Sequence, residues 1–288
     1  MKRLFVLLFF LVFAISCTTI NYNQVPNSIY QLIDRHAVTI AVNYYMPDHE
    51  FFKRLSEPFK KVLIKTDSFE LSYKQEVIVI PTRPGRNAKT GEPIKCMSYI
   101  GSGTILRNNH IISVKHLFDQ TENIYDMQIW VFRPGCTHAI RCEVVAISEG
   151  KNFFDDYAVI KTNESLGLPG LKIAEPYSMH WGEKVISTGS PGGLAFFHRV
   201  GFVTKLQSFL YRDSNKDIVL NDFNKFPFWV IYPGGPGDSG GSIKNMKGKI
   251  VSILYCGISR YDEEYIFSNP TFMLWDFLKE NNLEWLAD

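Results

Sequence analysis

From about residue 72 onward the chain is cut into short apolar or β-branched runs separated by turn chemistry. This rhythm limits the fold more than any other feature. "EVIVI", "SYIGSGTIL", "HIISV", "MQIWVF", "CEVVAIS", "YAVIK", "EKVISTG", "RVGFVTKL", "FWVIY", "SIKNM" and "KIVSIL" follow one another. Between them stand "RPGRNAKTGEP", "RNN", "RPG", "GLPG", "SPGG" and "RDSNKD", rich in residues that break regular structure. Many short strands at such spacing predict an all-β barrel or sandwich. The tail "NPTFMLWDFLKENNLEWL" places Phe272, Trp275 and Leu278 at helical spacing after an Asn-Pro start, so a helix is expected over 269–288. Before the β region, 18–71 forms a lead-in segment. "NSIYQLIDRHAVTIAVNYY" and "HEFFKRLSEPFKKVL" carry helix-like spacing broken by Pro47 and Pro58.

The first seventeen residues have a different character. A basic head, Met1-Lys2-Arg3, precedes the apolar run "LFVLLFFLVFAI", which is short for a bilayer span and fits a secretory signal. "AISC" resembles a bacterial lipobox ending at Cys17, with Ala14 where Leu is usual. A lipid anchor at Cys17 and an ordinary cleaved signal both follow from this reading, and either one predicts export. Cys96, Cys136, Cys142 and Cys256 then reside where disulfides form. The segment "CTHAIRC" offers three metal ligands where a closed zinc site wants four, so no metal is expected. A net charge of +2 with scattered Lys and Arg gives no field for a polyanion, so nucleic acid is not an expected partner.

The stretch "PGGPGDSGGSI", residues 233 to 243, is poor in side chains around Ser239. Glycine serves where backbone takes φ > 0 or approaches something closely, so the segment is suited to presenting N–H groups and one hydroxyl. A hydroxyl needs a base to become a nucleophile. His116, at the end of the apolar run "HIISV", is the best placed. The imidazole in turn needs an acid to hold its tautomer, and "FFDDYAVIK" supplies Asp155 and Asp156. The order His116, Asp156, Ser239 is one known chain order for such a triad.

"GSGTILRNNHIISVKH", "DYAVIK", "STGSPGGLAFFHRVGFVT" and "GPGDSGGSIKNMKGKIVSI" resemble the successive blocks of trypsin/chymotrypsin-like serine peptidases. The bacterial HtrA-like branch is closest in texture, and the chain ends too soon after the β region for the PDZ domain many of its members carry. The resemblance implies two six-stranded β-barrels over 72–268, with a break near 165–180 and the active site between them. It implies Ser239 as nucleophile, His116 as general base and acid, and Asp156 as the orienting carboxylate. The N–H groups of Gly237 and Ser239 are the implied oxyanion hole. Polypeptides are the implied substrates, and no cofactor is called for. Leu117 stands where the animal enzymes carry a cysteine, and no Ile-Val-Gly-Gly activation terminus precedes the first barrel.

The substrate pocket maps by the same resemblance to Pro233, Gly234, Gly235 and Pro236 and to Ser252, Ile253 and Leu254. Neither group holds an acid, which argues against cleavage after Arg or Lys, and Leu254 is expected to narrow the pocket. Two other functions are compatible with this fold: a non-catalytic binding or assembly module, and a peptidase that cuts only its own chain.

Overall fold

The computed structural model of the chain describes residues 25–47, 69–73, 76–80, 85–86, 93–119, 126–133, 138–150, 155–180, 182–193, 196–203, 209–212, 218–221, 229–231, 237–260, 263–268 and 271–288. The leader with Cys17, the stretch 233–236 (Pro233, Gly234, Gly235 and Pro236) and Cys136 lie outside the described residues.

Helix α1 (Asn27–His36) runs directly into β1 (Ala37–Pro47). β2 (Phe69–Tyr73) and β3 (Glu76–Ile80) pair as a separate two-stranded ladder. β4 (Gly85–Arg86), β5 (Pro93–Ile105), β6 (His110–Ser113), β7 (Asp126–Phe132), β8 (Ile140–Ile147) and β9 (Ala158–Thr162) complete the first half. Their order is β1-β7-β8-β9-β6-β5-β4, and β1 also pairs with β5 along its whole length. That second pairing closes a six-stranded barrel and leaves β4 at its edge.

The second half contains β10 (Lys184–Gly189), β11 (Phe197–Phe202), β12 (Phe209–Arg212), β13 (Ile218–Asn221), β14 (Trp229–Ile231), β15 (Ser242–Asn245), β16 (Ile250–Arg260) and β17 (Glu263–Ser268). Six of these form one sheet in the order β11-β10-β15-β16-β17-β14, while β12 and β13 pair apart from it. Helix α2 (Thr271–Glu280) follows, and a short 3-10 turn (Glu284–Leu286) ends the chain after Asn282 at φ 57°. The helix is therefore shorter than the 269–288 expected. The left-handed residue breaks it, as it does at many helix C-termini.

The first barrel draws a strand from the segment expected to be a helical lead-in. "AVTIAVNYYM" is rich in β-branched and aromatic side chains, which favour a strand. Val38, Ile40, Val42, Tyr44 and Met46 face the barrel core, all fully buried. Thr39, Ala41, Asn43 and Tyr45 on the other face are buried as well. A strand covered on both faces loses the polar alternation that marks strands in sequence, which explains the helix-like reading.

The core of the first barrel extends into α2, whose Leu274, Phe277 and Leu278 join it. Helix α2 therefore follows the second sheet in sequence but packs on the first barrel. Helix α1 does the reverse: its Ile33 packs with Ile186 of β10, beside Val25 and Val200. The two helices cross-brace the halves. Cys96 and Cys142 are free thiols, and burial raises both, to about 11 and about 12 respectively.

Candidate active site

His116 sits in a 3-10 turn (Lys115–Leu117) just past the end of β6. The strand is buried along its length, so the turn is the first place where a side chain can leave the core. Two contacts fix the turn from outside. The Tyr44 hydroxyl of β1 donates to the Leu117 carbonyl at 2.6 Å, and the Leu117 side chain fills the space a Cβ on Gly101 would need.

Asp156 holds the imidazole by two bonds. Its Oδ2 lies 2.6 Å from His116 Nδ1, and its Oδ1 accepts the His116 backbone N–H at 2.8 Å. A carboxylate can only accept, so Nδ1 carries a proton, and in the neutral ring Nε2 keeps its lone pair. The carboxylate side chain is 13% exposed and the imidazole 44%. One partner is sheltered and the other faces the open side.

The adjacent acid is used differently. Asp155 Oδ2 accepts the N–H of Gly150 at 2.8 Å, and its carbonyl accepts the Ser148 hydroxyl at 2.8 Å. Tyr157, on the other side of Asp156, donates its N–H to Ser148 Oγ and stacks on Phe277 of α2 with centroids 5.4 Å apart. Helix α2 thus braces the segment that carries Asp156 from behind.

Ser239 lies in the loop entering β15. Three consecutive carbonyls of that loop are tied down. Gly237 O accepts Ser102 Oγ–H at 2.6 Å, Asp238 O accepts Gly241 N–H at 2.9 Å, and Ser239 O accepts Ser102 N–H at 2.7 Å. In a trans peptide the C=O and the following N–H point in opposite directions. Tying the Asp238 carbonyl to Gly241 therefore turns the Ser239 N–H the other way. Gly237 has φ 102° and Gly240 φ 88°, conformations that favour glycine. A Cβ on Gly240 would also collide with Ser102 O and Ser113 Oγ, so the loop lies against the strand that delivers His116.

Asp238 is 4% exposed, and Arg199 of β11 meets its carboxylate at 3.2 Å (Nη1 to Oδ1) and 3.1 Å (Nη2 to Oδ2). Neither Arg199 nor Ser102 was singled out in the sequence. Ser102 has a local signal, the flanking glycines of "GSG". Arg199 has none, because a strand residue in "HRVG" reads as an exposed charge.

The side chains of Ser252, Ile253 and Leu254, the residues mapped to the substrate pocket, are packed in the core. They are 0%, 1% and 1% exposed. Ile253 joins the core shared with the first barrel, and Leu254 joins a second cluster with Val185, Val203, Ile243 and Val251. Successive strand residues face opposite sides, and here both sides are packed. The Leu254 backbone does touch the site: its carbonyl accepts Gly240 N–H and its N–H donates to Gly241 O, both at 2.7 Å.

No family model matches the chain. Among curated proteins, a probable periplasmic DegP-like serine endoprotease of Buchnera aphidicola is 28% identical over 159 residues, which are 54% of this chain and 30% of that protein. An HtrA-like serine protease of Staphylococcus aureus is 22% identical over 192 residues, 64% of this chain and 24% of the relative. The chain thus spans only a quarter to a third of the length of the curated relatives it matches. Among solved structures, the Rv3671c protease of M. tuberculosis in its active form superposes with a TM-score of 0.55 at 16% identity, covering 90% of this chain and 86% of that one. The HtrA-type protease AlgW, solved with a decapeptide, gives 0.53 at 15% identity, covering 88% and 66%. The chain has the fold of these trypsin-like proteases, and its curated relatives are serine proteases of the HtrA and DegP type.

Proposed function

We propose that the chain is a serine endopeptidase that hydrolyses peptide bonds through Ser239, His116 and Asp156. The observation that carries this reading is the double contact of Asp156 with His116, which turns Nδ1 to the carboxylate and leaves Nε2 to act as a base. In the reaction, Ser239 Oγ attacks the carbonyl carbon of the scissile bond while Nε2 takes its proton. The tetrahedral oxyanion is held by the N–H groups of Gly237 and Ser239, each such donor being worth about 3 kcal/mol in the transition state. Collapse breaks the C–N bond, and the imidazolium protonates the departing amine. Water then attacks the acyl ester, gives its proton to Nε2, and Ser239 recovers it as the acid product leaves. Asp156 stays ionised throughout and stabilises the imidazolium.

The curated relatives are named as proteases, and the AlgW structure holds a peptide, which supports polypeptide substrates. A fluorophosphonate probe tests the reading directly. Labelling of the wild type, its loss in Ser239→Ala, and peptide cleavage only by the wild type are expected. An unlabelled but folded wild type overturns it in favour of a binding module, and cleavage confined to the chain itself favours a self-processing peptidase.

We also place the mature protein outside the cytoplasm, on the signal-like leader and the periplasmic relative. Detergent partitioning that is lost in Cys17→Ser identifies a lipid anchor. A soluble, unmodified wild type rules out the anchor.

A further inference from the structure

We propose that Ser102 is a positioning residue for the oxyanion hole, an inference that rests on the proteolytic reading. Its hydroxyl holds the Gly237 carbonyl of the nucleophile loop and the N–H of Ser190, the residue after β10, at once.

Ser102 is 1% exposed and sits on β5 of the first barrel. Its backbone and side chain make four bonds. The N–H donates to Ser239 O at 2.7 Å, and the carbonyl accepts Ser113 Oγ–H at 2.8 Å. The hydroxyl donates to Gly237 O at 2.6 Å and accepts Ser190 N–H at 2.8 Å. The two proposed oxyanion donors belong to the 236–237 and 238–239 peptides. Ser102 grips the 237–238 peptide through its hydroxyl and the 239–240 peptide through its N–H. These two peptides flank the unit that bears the Ser239 N–H. The first of them also adjoins the unit that bears the Gly237 N–H.

The backbone of the loop needs such a pin. Gly237, at φ 102°, has no side chain to restrict its rotation. If the hydroxyl is removed, the Gly237 carbonyl and the Ser190 N–H lose this buried partner. The 237–238 peptide then gains freedom to rotate. The backbone bond from Ser102 N–H remains, so the loop stays docked while its orientation loosens. The nucleophile and base are untouched. What is lost is alignment of donors toward a charge that exists only in the transition state, and such a loss falls on kcat.

The test compares wild type, Ser102→Ala and Thr39→Val on peptide substrates. Thr39 donates to Ser190 Oγ at 2.9 Å and is fully buried in the same hydroxyl cluster, but it touches no peptide of the nucleophile loop. For Ser102→Ala, kcat is expected to fall about 10- to 100-fold with KM changed less than about twofold. The Ki of a peptide aldehyde, which forms an oxyanion on Ser239, should rise by the same factor as kcat/KM falls. The acid limb of the pH profile should not move, because His116 and Asp156 keep their contacts. Thr39→Val should keep the wild-type kcat even where it lowers the melting temperature. Rates are normalised to the folded fraction read by near-UV circular dichroism. If Ser102→Ala does not fold, Ser102→Cys, a poorer donor of similar volume, is measured in its place. Wild-type kcat in the Ser102 variant, an equal loss in Thr39→Val, or a shifted acid limb would each overturn the proposal. A wild type that neither cleaves peptides nor takes the fluorophosphonate probe sinks the proteolytic reading, and this proposal with it.

Discussion

The guanidinium of Arg199 grips the carboxylate of Asp238 with one nitrogen on each oxygen, at 3.2 and 3.1 Å, immediately before the residue proposed as nucleophile. A buried carboxylate is costly unless a cation and hydrogen bonds compensate it. Gly189 lies so close to Asp238 Oδ1 that no Cβ fits there, so the carboxylate has no room to swing away. The charge that faces Asp238 comes from within the fold, from β11.

Arg199→Ala is therefore expected to destabilise the protein by about 3–5 kcal/mol, the cost of removing one partner of a buried ion pair, and to lower kcat along with it. Arg199→Lys should recover only part of both, since a point charge does not replace a two-pronged grip. Urea unfolding and peptide turnover measure the two effects. A stable, fully active Arg199→Ala would show that Asp238 draws its compensation elsewhere.

The two neighbouring acids should separate cleanly. Asp156→Asn presents an amide to Nδ1, favours the wrong tautomer and removes the charge that balances the imidazolium; turnover should fall by about 10⁴. Asp155→Asn weakens a bond to the Gly150 N–H and should cost about 1 kcal/mol of stability with turnover within a few-fold of wild type. Rates and melting temperatures of both variants decide the matter. The reverse ranking would assign the orienting role to Asp155.

How far the sequence could be read depends on where the information lies. The β texture, the C-terminal helix and the residues His116, Asp156 and Ser239 stand in local patterns, and the fold brings His116 and Asp156 into contact as expected. Strand β1 was obscured because both its faces are buried, so period-two alternation is missing. The roles of Ser102 and Arg199 are tertiary: each acts on a residue more than thirty positions away, and nothing beside them in sequence announces the partner. The burial of the Ser252, Ile253 and Leu254 side chains was illegible for a related reason. Their place in the order of blocks gave no information about how deeply β16 is buried.

Leu254 now carries a different expectation. It is 1% exposed in a packed cluster, so Leu254→Ala should destabilise by about 2–5 kcal/mol through lost contacts and a residual cavity. Leu254→Gly should be worse still, because a glycine weakens the strand that receives Gly240 N–H. Neither change should broaden the choice of residue before the scissile bond. A peptide library assayed with folded Leu254→Ala checks this, and a gain of aromatic acceptance at unchanged stability would restore the idea of a gate.

The last prediction concerns Lys244, fully buried on β15 with its Nζ 3.2 Å from the Ser242 carbonyl. Burial lowers its pKa from 10.5 to about 7. Helix α1 brings His36 to the same region, 3% exposed, with its Nδ1–H on the Leu32 carbonyl at 2.7 Å and Nε2 without a hydrogen-bond partner. Burial lowers the His36 imidazole below 6.5, and the charges of Lys244, Arg133 and Arg35 push it the same way. Between pH 10.5 and 7 the unfolded chain holds a proton on Lys244 that the native protein does not. Stability therefore falls as pH drops across that window and is level with respect to Lys244 below it. His36 adds a second loss, which begins as pH falls through 6.5 and ends at its lower native value. Lys244→Met removes the first penalty and relieves part of the second. The variant should gain about 1–4 kcal/mol at pH 7 and below, with the gain shrinking as pH rises toward 10.5. Urea midpoints of both proteins between pH 5 and about 10 test this, over a range set by those two groups. A gain that does not vary with pH would mean Lys244 titrates normally in the native fold. A loss at pH 7 would mean the ammonium has a stabilising partner.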